Sequence, residues 1–355
     1  MKNITKNFFN IKIVIKTVLK IFKKIIYKNI NLLNYIIYKI KSKSIFNTKD
    51  LIKNKFSKSS SISKNRKVIF IYRSQRRDNA STVMRSFQLQ KILKEEGGVN
   101  AEIFDESYIN NIRNSICILN KSFLIDASSK ELEILNSNGN ILCLDYIDSK
   151  DIFFQVQYAH CLMASSIKQL KFYQKKYKNK LIRLITHHVD TRIPNEEKER
   201  DFQTLKIGYF GEERNGLYVD KLEEFIYPYY ISTKNQSGKN WFKEIRNYNA
   251  HYIARKLYKK DIYKPFLKGF TAAFTNSNVL VTLDEGDSSF YLTKDYPYFI
   301  KDKSIDGIIG MIEFMENTFN SKVWFEGLEI MQEVKSRSSN KQIIKEFKLM
   351  IDLIF

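Results

Sequence analysis

The chain has 355 residues, 43% hydrophobic and 14% aromatic, which is enough for two domains of ordinary size with real cores and a tail. Its net charge of +22 is unevenly placed: residues 1–64 hold sixteen Lys against one acid, Asp50, leaving only +7 for the rest, so the basic character belongs to a tail and not to a globular surface. Three widely spaced cysteines (Cys117, Cys143, Cys161) without a C-x-x-C pair argue against a disulfide framework or a zinc site, and fit buried thiols in a reducing compartment.

The tail comes first. At about 100° per residue, Lys12, Lys16, Lys20, Lys23, Lys24 and Lys28 fall on one side of a helix, and Ile11, Val14, Ile15, Val18, Ile21, Phe22 and Ile25 on the other. No Gly precedes Gly97 and no Pro precedes Pro194, so nothing interrupts such a helix. A basic amphipathic helix of this kind either lies in an anionic membrane interface through residues 1–40 or packs on the domain behind it. Nucleic acid is not expected as a partner, because the tail lacks Arg and its aromatics share the apolar face. The longest run without a charge, Ile152 to Ile167, is shorter than the about 20 apolar residues that a membrane span needs. Lys recurring through the first thirty residues disfavours a cleaved signal peptide. Residues 42–65, rich in Ser, Lys and Asn, read as a linker.

From Arg66 strands and helices alternate, which implies a parallel, doubly wound sheet. Val68–Tyr72 is a buried strand, Arg73–Thr82 a polar loop, and Val83–Glu96 a helix stopped by Gly97-Gly98. Strands follow at Ala101–Phe104 and Ser115–Leu119, then a helix at Ser128–Asn136 and a strand at Ile141–Tyr146. A long apolar segment, Ile152–Leu170, leads to the strand Leu181–Thr186. A seam marked by Pro194 and a charge cluster lies near Asp190–Gln203.

The pattern then restarts. Lys206–Phe210 is a strand running into Gly211-Glu-Glu-Arg-Asn-Gly216, with a helix from about Val219 to Phe225. Later come the helix Pro265–Phe274, the strand Asn278–Leu283, the helix Ile305–Phe319 and two C-terminal helices. The expected division is a tail over 1–62, a first half over 63–200, a second half over 201–320 and C-terminal helices over 321–355.

Candidate chemistry clusters at the ends of strands, where an open α/β sheet holds its ligands. Lys264 and Lys268 flank a helix start marked by Pro265, a position that already favours anions; with Arg255 they suit a diphosphate. The acidic loop Asp284, Glu285, Asp287 and Ser288 follows a strand, and can hydrogen-bond ribose or sugar hydroxyls or remain a solvated turn. His187 and His188 end the last strand of the first half and are candidates for a general base or for a structural hinge. Asp78, in the loop after the first strand, is a second candidate base. His251 precedes Arg255 by four residues, which would place both on one helical face, and Gly211 ends the restart strand. No D-x-D triplet occurs, so no metal site and no cofactor are expected.

The restart strand K-I-G-Y-F-G (Lys206–Gly211), the segment K-P-F-L-K-G-F-T-A-A (Lys264–Ala273) and Y-L-T-K-D-Y-P (Tyr291–Pro297), in this order, resemble the GT-B glycosyltransferase architecture over residues 66–320. The resemblance implies an α/β fold of two Rossmann-like domains facing a cleft, here preceded by the basic helix. It implies a nucleotide-sugar donor on the second half, where the nucleotide diphosphate and donor sugar would sit, and a glycan or lipid-linked acceptor on the first. The E-x7-E pair of many retaining members is not evident, so stereochemistry does not carry over. The expected protein is a metal-independent glycosyltransferase of surface-glycan synthesis, cytoplasmic and peripheral to the inner membrane face. A GT-B scaffold that binds a glycan or partner without turnover is the alternative.

Overall fold

The computed structural model describes residues 66–195, 202–232, 238, 240–256, 258 and 261–355. The tail helix and linker expected over residues 1–65 lie outside them. Among the described residues no helix is long and apolar enough to cross a membrane.

Two parallel sheets organise the chain. The first has six strands in the order β2-β1-β3-β4-β5-β6: β1 Val68–Tyr72, β2 Ala101–Asp105, β3 Ile116–Asn120, β4 Ile141–Asp145, β5 Cys161–Ala164 and β6 Leu181–Leu184. The second has five in the order β11-β10-β9-β7-β8: β7 Ile207–Gly211, β8 Tyr227–Tyr230, β9 Ala250–Tyr252, β10 Asn278–Thr282 and β11 Phe299–Ile300. Strands β1, β3, β4 and β10 are buried along their whole length, as expected of parallel strands covered on both faces. The fold class is therefore the expected one, two Rossmann-like halves.

Several elements differ from expectation for identifiable reasons. The first helix starts at Ala80, not Val83, and runs through a π-helical stretch, Val83–Gln88, before resuming as Leu89–Glu95. The apolar segment Ile152–Leu170 hides a whole strand, β5, because a buried strand and a buried helix read alike in a continuous apolar run. Strand β8 contains Pro228, which a sheet tolerates at its edge, and β8 is an edge strand. The expected helix Val219–Phe225 is only a 3-10 turn, Val219–Lys221. His251 lies on strand β9, so it does not share a helical face with Arg255. The helix expected from Pro265 begins at Leu267, which places Lys264 ahead of it and Lys268 as its second residue.

The last two helices are not a segment of their own. Lys322–Arg337 packs Trp324, Met331 and Val334 into the core of the second half. Asn340–Ile354 returns to the first half, where Ile343, Phe347 and Met350 join the core under β1 and β3, and Phe347 stacks on Phe70 at 6.3 Å.

Candidate active site

Between the halves lies a cavity of about 480 Å³. Its first-half wall includes Asn79, Ser81, Lys121, Asp148 and His187; its second-half wall includes Arg255, Lys264, Lys268 and Glu285. These residues come from loops that follow strands or begin helices, so the topology delivers them to one crevice. A narrower apolar recess of about 140 Å³ shares Met84, Ile253, Leu267 and Lys268 with this cavity and is walled by Phe210, Trp241 and His251. A larger cavity of about 750 Å³, between Thr191 and Asn340, holds none of the candidate residues.

The charges are tightly arranged. Lys268 places its ammonium 4.4 Å above the ring centre of Tyr209. Gly211 makes this possible, since a Cβ there would stand 2.9 Å from the Lys268 nitrogen and 3.1 Å from the Tyr209 hydroxyl. Burial pulls the Lys268 ammonium down to about 8, with Glu285 opposing and Arg255 and Lys264 adding to the fall. Burial pushes the Glu285 carboxyl up to about 7 against the attraction of Arg255, Lys268 and Lys264. Arg255 approaches Asp261 at 3.4 Å, and its Nε stands 3.9 Å from Glu285 Oε2, too far for a hydrogen bond. Among the described residues both of these buried atoms lack a hydrogen-bond partner. A buried charged atom left so is poised for a polar ligand.

Lys264 joins Asp148 at 2.9 Å and lies 3.6 Å from Asp261. Lys121 holds the other oxygen of Asp148 at 2.6 Å. Burial works upward on the Asp148 carboxyl, but Lys264 and Lys121 outweigh it and keep it well below the ordinary carboxylate range.

His187 is buried at the cavity wall, its Nδ1 3.0 Å from the His188 carbonyl. A carbonyl only accepts, so Nδ1 carries the proton and Nε2 offers a lone pair. Burial and the nearby Arg85 push its basicity down to about 3, so His187 is neutral and a weak base.

The other expected residues are placed elsewhere. His188 turns away from the cavity, its Nε2 3.2 Å from the Gln88 amide oxygen, and is structural. Asp284 is half-exposed and paired with Lys303 at 2.5 Å. Asp287 accepts hydrogen bonds from the backbone N–H groups of Ile167 at 2.6 Å and Lys168 at 3.2 Å, closing the start of the first-half helix Ile167–Lys176. Ser288 donates to the Thr282 carbonyl at 2.9 Å. Asp284, Asp287 and Ser288 thus position the loop and do not line the cavity, because Lys303, the first-half helix and the turn's own backbone take up their polar groups. Asp78 is exposed, one residue before the lining residue Asn79. His251 faces the apolar recess, 5.6 Å from Phe210 between ring centres.

Sequence reasoning missed Lys121, Asp148 and Asp261. The usable signal was position: Lys121 directly follows β3 and Asp148 lies three residues past β4.

No family model and no curated protein matches this chain. Solved structures do. A glycosyltransferase from Rickettsia africae is 10% identical, with a TM-score of 0.57 over 82% of this chain and 99% of that one. HepE from Anabaena, in complex with UDP, is 10% identical, with a TM-score of 0.55 over 81% of this chain and 100% of that one. A TarM mutant from S. aureus, in complex with fondaparinux, alpha-GlcNAc-glycerol and UDP, is 13% identical, with a TM-score of 0.50. That alignment covers 70% of this chain, which spans 58% of the TarM chain. The likeness establishes the fold: the chain has the GT-B architecture of these glycosyltransferases.

Proposed function

We propose that this chain is a glycosyltransferase that moves a sugar from a nucleoside-diphosphate sugar to a glycan or lipid-linked acceptor. The observation that carries it is the convergence of Arg255, Lys264 and Lys268 with Lys121 of the opposite half on one crevice. Cations in a confined site stabilise the charge that develops on a departing diphosphate, without a metal. The fold neighbours bound to UDP support a nucleotide ligand. In the apolar recess, Phe210 and Trp241 offer flat surfaces to its base.

In the reaction, an acceptor hydroxyl attacks the anomeric carbon, the bond from that carbon to the phosphate oxygen breaks, and the electron pair leaves with the diphosphate. Lys268 and Arg255 stabilise that charge. His187 accepts a hydrogen bond from a sugar hydroxyl through Nε2. The acceptor proton passes to Glu285, whose proton affinity near neutrality suits the task; Asp78 at the rim is the alternative base. Residues 1–40 are proposed to hold the protein on the inner face of an anionic membrane, which suits a surface-glycan acceptor.

A thermal-shift panel of nucleoside diphosphates tests this. At 100-fold its dissociation constant the right nucleotide should add about 2.7 kcal/mol. Lys268→Ala should abolish that shift; a shift that survives the substitution removes Lys268 from the site. A scaffold that binds glycan without turnover would instead respond to sugars and ignore the whole nucleotide panel.

A further inference from the structure

We propose that Asp148 occupies the place of a ligand phosphate in the cleft, latching the two halves together until a diphosphate displaces it. This rests on the donor-binding reading above.

Asp148 belongs to the first half, yet one of its oxygens lies 2.9 Å from Lys264 of the second. The acid of the second half that faces Lys264, Asp261, stands farther away at 3.6 Å. The other Asp148 oxygen holds Lys121 at 2.6 Å. One carboxylate thus bridges two ammonium groups from opposite walls, the geometry that a phosphoryl group would adopt between them. All three residues line the main cavity, so the bridge stands in the crevice itself.

Two observations make the bridge exchangeable. The bridge is reached by solvent, with side-chain exposures of 27% for Lys264 and 20% for Asp148, so water can take over its charges when it parts. The cluster also has its charges nearly matched: Asp148, Asp261 and Glu285 face Lys121, Arg255, Lys264 and Lys268. A diphosphate entering beside all three carboxylates would be repelled. Withdrawal of Asp148 removes one of them and frees a lysine on each wall to grip the ligand. Asp148 therefore competes with the ligand, and apparent affinity is lowered by the fraction of molecules latched.

Isothermal titration of the full-length chain with inorganic pyrophosphate and with UDP decides the matter. Asp148→Asn keeps the shape and removes the charge, so it should bind both probes at least about five-fold tighter than the wild type. Asp148→Glu, which keeps a carboxylate, should stay near the wild-type value. Equal or weaker binding by Asp148→Asn overturns the latch while leaving the donor reading intact. Absence of binding in wild type and variant alike overturns the donor reading itself. Hydrogen exchange on the wild-type protein gives a check that needs no variant: pyrophosphate should speed exchange of the backbone amides of residues 146–150. Slower or unchanged exchange there overturns the latch.

Discussion

Glu285 lies three residues past the strand β10 and Lys268 is the second residue of its helix, and each is pushed toward neutrality by burial. For Glu285 the folded state holds its proton up to about 7, against an ordinary value of 4.5. Between these limits Glu285 binds its proton more fully in the folded than in the unfolded state, so its contribution to stability falls as pH rises from about 4.5 to 7 and then levels off, opposing the rise that His187, held neutral down to about 3, contributes up to its ordinary 6.5. Lys268 acts in the opposite sense and higher, between about 8 and its ordinary 10.5, where stability rises with pH. Glu285→Gln should remove that falling contribution, making the slope of melting temperature against pH between about 4.5 and 7 more positive than in the wild type, and leave a protein more stable than wild type above 7, by roughly 1–3 kcal/mol. An unchanged slope would show that Glu285 titrates normally. The sequence displayed the cations Arg255, Lys264 and Lys268 and the carboxylate Glu285, because charged residues at strand ends stand out. It did not show which of the loop carboxylates faces inward: Asp284 and Asp287 carry the same group as Glu285 and differ from it chiefly in side-chain direction.

Among the elements, the helix Ile167–Lys176 depends on a residue 120 positions away in sequence, since Asp287 receives its first backbone N–H groups. Such a cap ties the loop of the second half to a helix of the first. Asp287→Ala should destabilise the protein by about 2 kcal/mol in urea unfolding, by leaving buried donors unpaired. Asp287→Asn, which retains an acceptor, should recover part of the loss; a neutral alanine variant would mean that water replaces the carboxylate. Strands β1, β4 and β10 were readable because apolar runs bounded by polar turns leave few alternatives. Strands β5 and β9 were not. The first merges into an apolar segment, and the second has three residues, too few to show a period.

At the scale of the whole molecule, the alternation of elements and its restart at Ile207 made the two-half architecture legible in the sequence. Pairing order and the return of the last helix were not, because both depend on contacts between distant segments. The basic tail belongs to this scale too. Deleting residues 1–62 should release the protein from anionic vesicles in a flotation assay without altering nucleotide affinity. Vesicle binding that persists would move the membrane contact elsewhere on the chain.

The return of Asn340–Ile354 to the first sheet means that the polypeptide passes between the halves twice, once between Leu184 and Ile207 and once between Arg337 and Asn340. A body fastened at two points keeps one easy freedom, rotation about the line that joins them, whereas sliding and twisting would stretch a strap. Any opening of the crevice would then follow the swing of a door, with Lys121 and Lys264 on its two edges.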